Sequence, residues 1–359
     1  MKCKGIANQQ HNKIHLHEVF VNNENNFSVD LSTPGAAPLD TLELTADYEI
    51  NKAGTEKKKL YKRANSKYFT DCYLIHLLNL ESPLKKEYWD TWHCNSCLRY
   101  DGNIYYGTYC KKRWCIVCAR IGTAKRIKTY LPILKDTFVK PYFVTLTQPN
   151  VKAENLRNEI SSITKSFRNI LENNRKNYGF KIKGTRNLEI TYNSGSDTYH
   201  PHLHCIIDGY NEANFLKDNW LKQFPSASDK AQDIRPFGNK DSDLLEAFKY
   251  SQKIISQSNG KKYIYANAID IINIATKGGT GGVRLFQPFG FIQPKNEVDL
   301  TAEEETGIKE LTDENDIQMV LYQYNKEIFD WVDTDTGEVL TDYVPSKPME
   351  EIRNNRIIF

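Results

Sequence analysis

Tyr199-His200-Pro201-His202-Leu203-His204-Cys205 constrains this chain more than any other stretch. In an extended strand, residues two apart point the same way, so His200, His202 and His204 share one face while Leu203 anchors the other. Three of the chain's eight histidines stand here at alternate positions. Two imidazoles on one strand face are half of a divalent-metal site. Leu188–Tyr192 has the same strand character, and Asn193-Ser194-Gly195-Ser196-Asp197 between the two runs is a turn. The pair therefore predicts a β-hairpin whose second strand carries the histidines.

The rest of the chain suits an α+β layer design, an antiparallel sheet with helices packed on it. Helical apolar spacing runs through 66–90, 119–131, 152–173, 211–224, 244–255 and 268–275, with Pro132 expected to end or kink the second of these. Tyr142–Thr147 and Ala231–Phe237 read as further strands. Gly278–Gly282 lacks the lysine and spacing of a phosphate loop and reads as a connector. One more helix is expected around Ile317 to Ile328. The resulting division is a mobile N-terminal arm (1–65), a cysteine-bearing module with its basic helix (66–138), a histidine-bearing domain (139–295) and an acidic tail (296–359).

A metal held by His202 and His204 needs a third ligand. Glu189 is the choice, because it lies on the partner strand of the hairpin, close to opposite the histidines; His200 is the alternative. Two imidazoles and one carboxylate suit Mg2+ or Mn2+ with positions open for phosphate oxygens. Downstream lies Glu246-Ala247-Phe248-Lys249-Tyr250-Ser251-Gln252-Lys253. On a helix Glu246 and Lys253 share a face with Tyr250. A tyrosine nucleophile needs its phenolate favoured, which a nearby ammonium or metal achieves. Attack on a phosphodiester would exchange one such bond for another, leaving a phosphotyrosine link and a 3′ hydroxyl. No ATP is needed, and the sequence contains no GxxxxGK[ST] motif.

Five of the eight cysteines fall between Cys94 and Cys118. Cys94-x-x-Cys97 and Cys115-x-x-Cys118 have the spacing of a structural four-cysteine Zn2+ site, and Cys110 is the alternate ligand. Lys111, Lys112 and Arg113 lie between the pairs beside Trp114, with Tyr100, Tyr105, Tyr106 and Tyr109 nearby. Basic residues among aromatics suit backbone contact and base stacking, although the same aromatics could pack a small zinc-stapled core. Arg120, Lys125, Arg126 and Lys128 occupy the polar face of the following helix and join Lys111–Arg113 as candidate DNA contacts.

The net charge of +3 conceals an asymmetry. It divides into about +15 over residues 1–295 and about −12 over 296–359. A basic body suits a polyanion, and nucleic acid is the obvious one. No stretch approaches the roughly 18 apolar residues of a membrane helix, and no apolar run follows the basic start, so a cytoplasmic protein is expected.

Phe143-Val144-Thr145-Leu146-Thr147-Gln148-Pro149-Asn150, the His200–His204 strand and Tyr250-Ser251-Gln252-Lys253 resemble, in order, three motifs of the HUH endonucleases. The likeness is to the replication initiators of bacterial rolling-circle plasmids, the Rep_1 type. Gly282–Gly290 is also similar, and the resemblance covers roughly residues 90–292. Conjugative relaxases usually have the tyrosine first. The resemblance implies a ferredoxin-like, RRM-like palm and a metal-dependent nick by Tyr250 in origin DNA, single-stranded or in a hairpin. It further implies a 5′-phosphotyrosine intermediate, a 3′-OH primer and, because Glu246 stands four residues before the tyrosine, a general base for termination.

A single-tyrosine HUH transposase shares this chemistry, although the glutamate before the tyrosine favours a replicator. A non-catalytic zinc-dependent DNA-binding regulator would need neither the histidine strand nor Tyr250. Two roles suit the acidic tail: recruiting a host helicase or DNA polymerase, or shielding the basic body from non-specific DNA.

Overall fold

The computed structural model describes residues 56–179, 181–238, 247–248, 255–258, 261–277, 282–290, 308–310 and 319–354. In chain order the elements are α1 (Glu56–Leu78), α2 (Lys85–Trp92), β1 (Cys97–Tyr100), β2 (Tyr105–Gly107), α3 (Ile116–Thr137), β3 (Pro141–Leu146) and α4 (Ala153–Tyr178). They continue with β4 (Gly184–Asn193), β5 (Thr198–Asp208), α5 (Tyr210–Gln223), β6 (Asp233–Pro236), β7 (Ile255–Ser258), β8 (Lys261–Ile264) and α6 (Ala266–Lys277). The last are β9 (Phe286–Phe289), β10 (Ile308–Glu310), β11 (Val320–Asn325), β12 (Asp330–Asp333) and α7 (Lys347–Asn354). Among the described residues no helix is long and apolar enough to cross a membrane.

The histidine strand β5 is the middle of a five-stranded sheet ordered β6-β3-β5-β4-β9, antiparallel throughout. Alternation sorts its side chains onto two faces. Leu188, Ile190, Leu203, Cys205, Ile207, Val144 and Leu146 form the apolar face. Against it pack α4 through Leu156, Ile160, Ile163, Phe167 and Ile170, α5 through Leu216 and Trp220, and α6 through Ile272. The α4 residues recur every three or four positions, which puts one stripe of a 3.6-residue helix on the sheet. Trp220 is fully buried, and its indole N–H donates to the Thr147 carbonyl at 3.0 Å. The opposite face is apolar at one end, where Phe143 and Ile206 meet Ile127 and Leu134 of α3, Phe138, Phe237, Ala247 and Phe248. The histidines lie further along that second face.

A second sheet, ordered β10-β2-β1-β11-β12, is built on the cysteine segment. Its core joins Tyr68, Leu74 and Leu77 of α1, Tyr88 and Trp92 of α2, Trp114, Tyr324 and Trp331. The two halves meet at α6: Ser82 and Tyr88 hydroxyls donate to Asp270 Oδ1 at 2.6 and 2.5 Å, and Arg113 donates to the Thr276 carbonyl at 3.3 Å.

Three sequence expectations change. Helix α1 begins at Glu56, with Leu60 and Ala64 buried, so residues 56–65 belong to the folded body and not to an arm. Helix α3 does not end at Pro132 but continues to Thr137. Within the helix expected at 317–328, the described residues Val320–Asn325 form β11, whose alternating Tyr322 and Tyr324 turn toward the core as it pairs with β1. Part of the acidic tail is thus sheet, because a pairing partner distant in sequence overrides local helical spacing. The 244–255 helix lies outside the described residues except for Ala247 and Phe248, which are helical, and Ile255, which starts β7.

Candidate active site and cysteine centre

In the β4/β5 hairpin Glu189 stands directly opposite His202 and Asn187 opposite His204, while Thr145 of β3 faces His204 from the other side. Directly opposed residues share a face. Glu189 Oε2 therefore lies 3.2 Å from His204 Nε2 and 3.8 Å from His202 Nε2. One ligand atom from each of Glu189, His202 and His204 falls within 4.8 Å of the others, and all three side chains are buried. Adjacent ligands of a six-coordinate Mg2+ at about 2.1 Å stand about 3 Å apart, so these separations fit a small hard cation.

The rings are held in place. His202 Nδ1 lies 3.0 Å from the His200 carbonyl and donates to it, which leaves the Nε2 lone pair toward Glu189. His204 Nδ1 is 3.3 Å from Thr145 Oγ1, a contact the sequence reading did not assign although Thr145 stands in the first motif. Burial draws the His202 pKa down to about 4, so the imidazole is neutral, the form that binds metal, at physiological pH. His200 stacks on His202 with ring centroids 4.9 Å apart and stands beside the trio, outside it. Tyr250, Glu246 and Lys253 lie outside the described residues. Phe248, two residues before Tyr250, is fully buried on the histidine-bearing face of the sheet.

The second group is Cys94, Cys110, Cys115 and Cys118, whose sulfurs all lie within 4.8 Å of one another. Cys118 Sγ is 3.8 Å from both Cys94 Sγ and Cys110 Sγ. Four sulfurs at the usual Zn–S length of about 2.3 Å around a tetrahedron stand about 3.8 Å apart. Cys97 is not in this group, which corrects the two-pair reading in favour of the alternate Cys110. Its thiol donates to Gln323 Oε1 of β11 at 3.2 Å, because β1 is drawn into pairing with β11. Asn95 and Lys111 take left-handed backbone conformations, φ 53° and 56°, directly after Cys94 and Cys110. The Cys110 N–H then points at Cys94 Sγ, 3.4 Å away. Cys115 caps α3 and Cys118 sits in its first turn.

The expected DNA contacts divide. Lys111 and Lys128 are exposed, and Lys125 is half-buried. Lys112 pairs with Asp90 at 3.8 Å, and Arg113 is engaged with α6. Arg120 is buried: its guanidinium donates to Ser66 Oγ and the Lys62 carbonyl, tying α3 to α1. It therefore presents no cation to a ligand, and the expected contact is corrected to an internal tie. Arg126 donates to the Phe248 carbonyl at 3.5 Å. The aromatics mostly pack: Trp114 and Tyr106 are buried, and Tyr100 stacks on Tyr105 at 4.4 Å.

The Rep_1 model, described as "Replication protein", matches residues 101–333, well over half of the chain. Protein rep of Staphylococcus aureus is 35% identical over 169 residues, spanning 42% of this chain and 72% of that protein. Protein rep of a Bacillus species is 34% identical over 126 residues, 33% of this chain and 39% of that protein. Protein rep of Bacillus amyloliquefaciens is 33% identical over 126 residues, 33% and 36% of the two chains. No solved structure matches. The matched span takes in three of the four clustered cysteines, the histidine hairpin and the β11–β12 pair, and the chain belongs to the Rep_1 family of replication proteins.

Proposed function

We propose that this protein initiates rolling-circle plasmid replication by nicking one strand of origin DNA through Tyr250. The observation that carries the proposal is the Glu189–His202–His204 trio on one buried sheet face, with ligand atoms within 4.8 Å of one another. Glu189, His202 and His204 would hold a divalent ion such as Mg2+ or Mn2+, which would supply Lewis-acid polarisation of the scissile phosphate. The Tyr250 oxygen attacks phosphorus, the bond to the 3′ oxygen breaks, and that oxygen leaves with a proton as the primer hydroxyl. The 5′ phosphate stays on the tyrosine. Lys253 favours the phenolate, and Glu246 later takes the proton from the water that releases the enzyme.

Cys94, Cys110, Cys115 and Cys118 would hold structural Zn2+, and the exposed Lys111 and Lys128 meet the DNA backbone. The test is to incubate wild type and Tyr250→Phe with single-stranded oligonucleotides tiling the encoding replicon, in Mn2+ and in EDTA. Metal-dependent cleavage with a covalent adduct, lost in the variant, is expected. Tight binding with neither cleavage nor adduct on any tile would replace the endonuclease by a DNA-binding regulator.

A further inference from the structure

Helix α3 has one end in the cysteine centre and its middle against the segment that leads to Tyr250. Cys115 and Cys118 stand at its start. Eight residues beyond Cys118, about 12 Å along the axis, Arg126 donates to the Phe248 carbonyl at 3.5 Å. The same guanidinium lies over the Phe286 ring of β9, 5.1 Å from its centroid. One turn later Tyr130 stacks on Phe248 at 6.5 Å and meets Phe286 at 5.1 Å, while Phe248 and Phe286 are 5.6 Å apart. Phe248 is thus gripped by two aromatic rings and by a cation that is itself seated on one of them.

Placement on the sheet gives this grip its meaning. Phe248 packs in the same cluster as Ile206 and Phe143, and Ile206 lies two residues along β5 from His204, on the same face. Tyr250 follows Phe248 by two residues in the sequence, a tether of two peptide units. Fixing Phe248 therefore confines where the tyrosine can stand relative to the metal trio. Near-attack geometry is worth several orders of magnitude in rate, and small displacements forfeit much of it.

We propose that Arg126 is a positioning residue: its hydrogen bond to the Phe248 carbonyl and its seat on Phe286 hold the nucleophile segment in register with the metal site. Helix α3 references that hold to the cysteine centre. The proposal rests on the reading of Tyr250 as the nucleophile. It assigns Arg126 a task inside the protein, in place of the phosphate contact its charge first suggests. A positioning role acts on the rate after binding, whereas a phosphate contact acts on affinity.

Two measurements test it. In single-turnover cleavage of the origin oligonucleotide, Arg126→Gln should slow adduct formation at least tenfold with oligonucleotide Kd and Mn2+ affinity within twofold of wild type. Arg126→Lys, which keeps a donor but not the planar stack, should recover part of that rate. Phe286→Leu removes the ring beneath the guanidinium and should act like Arg126→Gln, which serves if the latter fails to fold. In the Tyr250→Phe background, hydrogen exchange of residues 241–254 should quicken when Arg126→Gln is added. An adduct rate within twofold of wild type, a loss confined to Kd, or unchanged exchange would each overturn the proposal. Quickened exchange in a protein whose wild type forms no adduct would leave the clamp standing and sink the nucleophile reading instead.

Discussion

The Trp331 indole N–H donates to the Asn95 carbonyl at 2.8 Å, joining residues 236 positions apart in the chain. Asn95 is the residue after Cys94, fully buried and in a left-handed conformation. Its amide N–H and side-chain amide both donate to the Thr108 carbonyl, at 2.9 and 2.7 Å. The C-terminal strand pair therefore props the turn that aims a cysteine.

Trp331→Ala removes this prop and leaves a cavity in the core shared with Tyr68, Trp92 and Tyr324. A loss of about 3–5 kcal/mol is expected, as for other buried tryptophans. Urea unfolding measures it. A loss below about 1 kcal/mol would show that the strand pair is an ornament of the cysteine module and no part of its core.

Cys110→Ser should lower bound zinc to well under one equivalent, and Cys97→Ser should leave it unchanged. The two thiols differ in what they face: Cys110 Sγ is 3.8 Å from Cys118 Sγ, while Cys97 Sγ donates to Gln323. Metal analysis of the purified variants decides, and zinc loss in Cys97→Ser with retention in Cys110→Ser would reverse the assignment.

Glu189→Ala takes the carboxylate from between two imidazoles 3.2 and 3.8 Å away. Mn2+ affinity, followed by titration calorimetry, should fall at least tenfold, because a ligand is removed outright. Adduct formation should fall with it. Thr145→Val, which removes the contact to His204 Nδ1, should weaken binding less and leave some cleavage.

Exposed and buried cations should separate cleanly. Lys111→Ala and Lys128→Ala should each weaken DNA binding across sequences and lower the salt slope by about one. Arg120→Ala should instead lower the melting temperature, because its guanidinium ties α3 to Ser66 of α1. A salt slope changed by Arg120→Ala at unchanged stability would place that side chain at the DNA.

Acid stability carries a sign that follows from burial. The pKa values of His76 and His202 are both drawn down to about 4 by burial. An unfolded histidine titrates near about 6.5, so between the two values the unfolded chain binds more protons. Stability of the metal-free protein therefore falls as pH drops from about 6.5 toward 4. His76 Nδ1 is buried with no hydrogen-bond partner, so His76→Leu should flatten this slope by up to one proton. Denaturant unfolding at a series of pH values checks it; an unchanged slope would mean that His76 titrates normally.

What the sequence determined by itself was local. Strand alternation put His202 and His204 on one face, and a short turn fixed the hairpin register that set Glu189 opposite His202. Both follow from a period of two and a tight connection, which need nothing from the rest of the chain. Helices α4, α5 and α6 were legible for the same reason, from one apolar stripe each. The tertiary structure decided what local pattern left open. Both cysteine pairs satisfy the CxxC spacing, and Cys97 is excluded only because β11, 226 residues from it at Gln323, claims β1 as a partner. Arg120 and Arg126 look alike on a basic helix, and only packing against α1 and against Phe248 turns each of them inward. Within the stretch read as a helix around Ile317 to Ile328, Val320–Asn325 become a strand because β1 and β12 flank it as pairing partners. Period and turn are encoded within a few residues; pairing and burial depend on which distant surface arrives, and a single stretch of sequence does not carry that information.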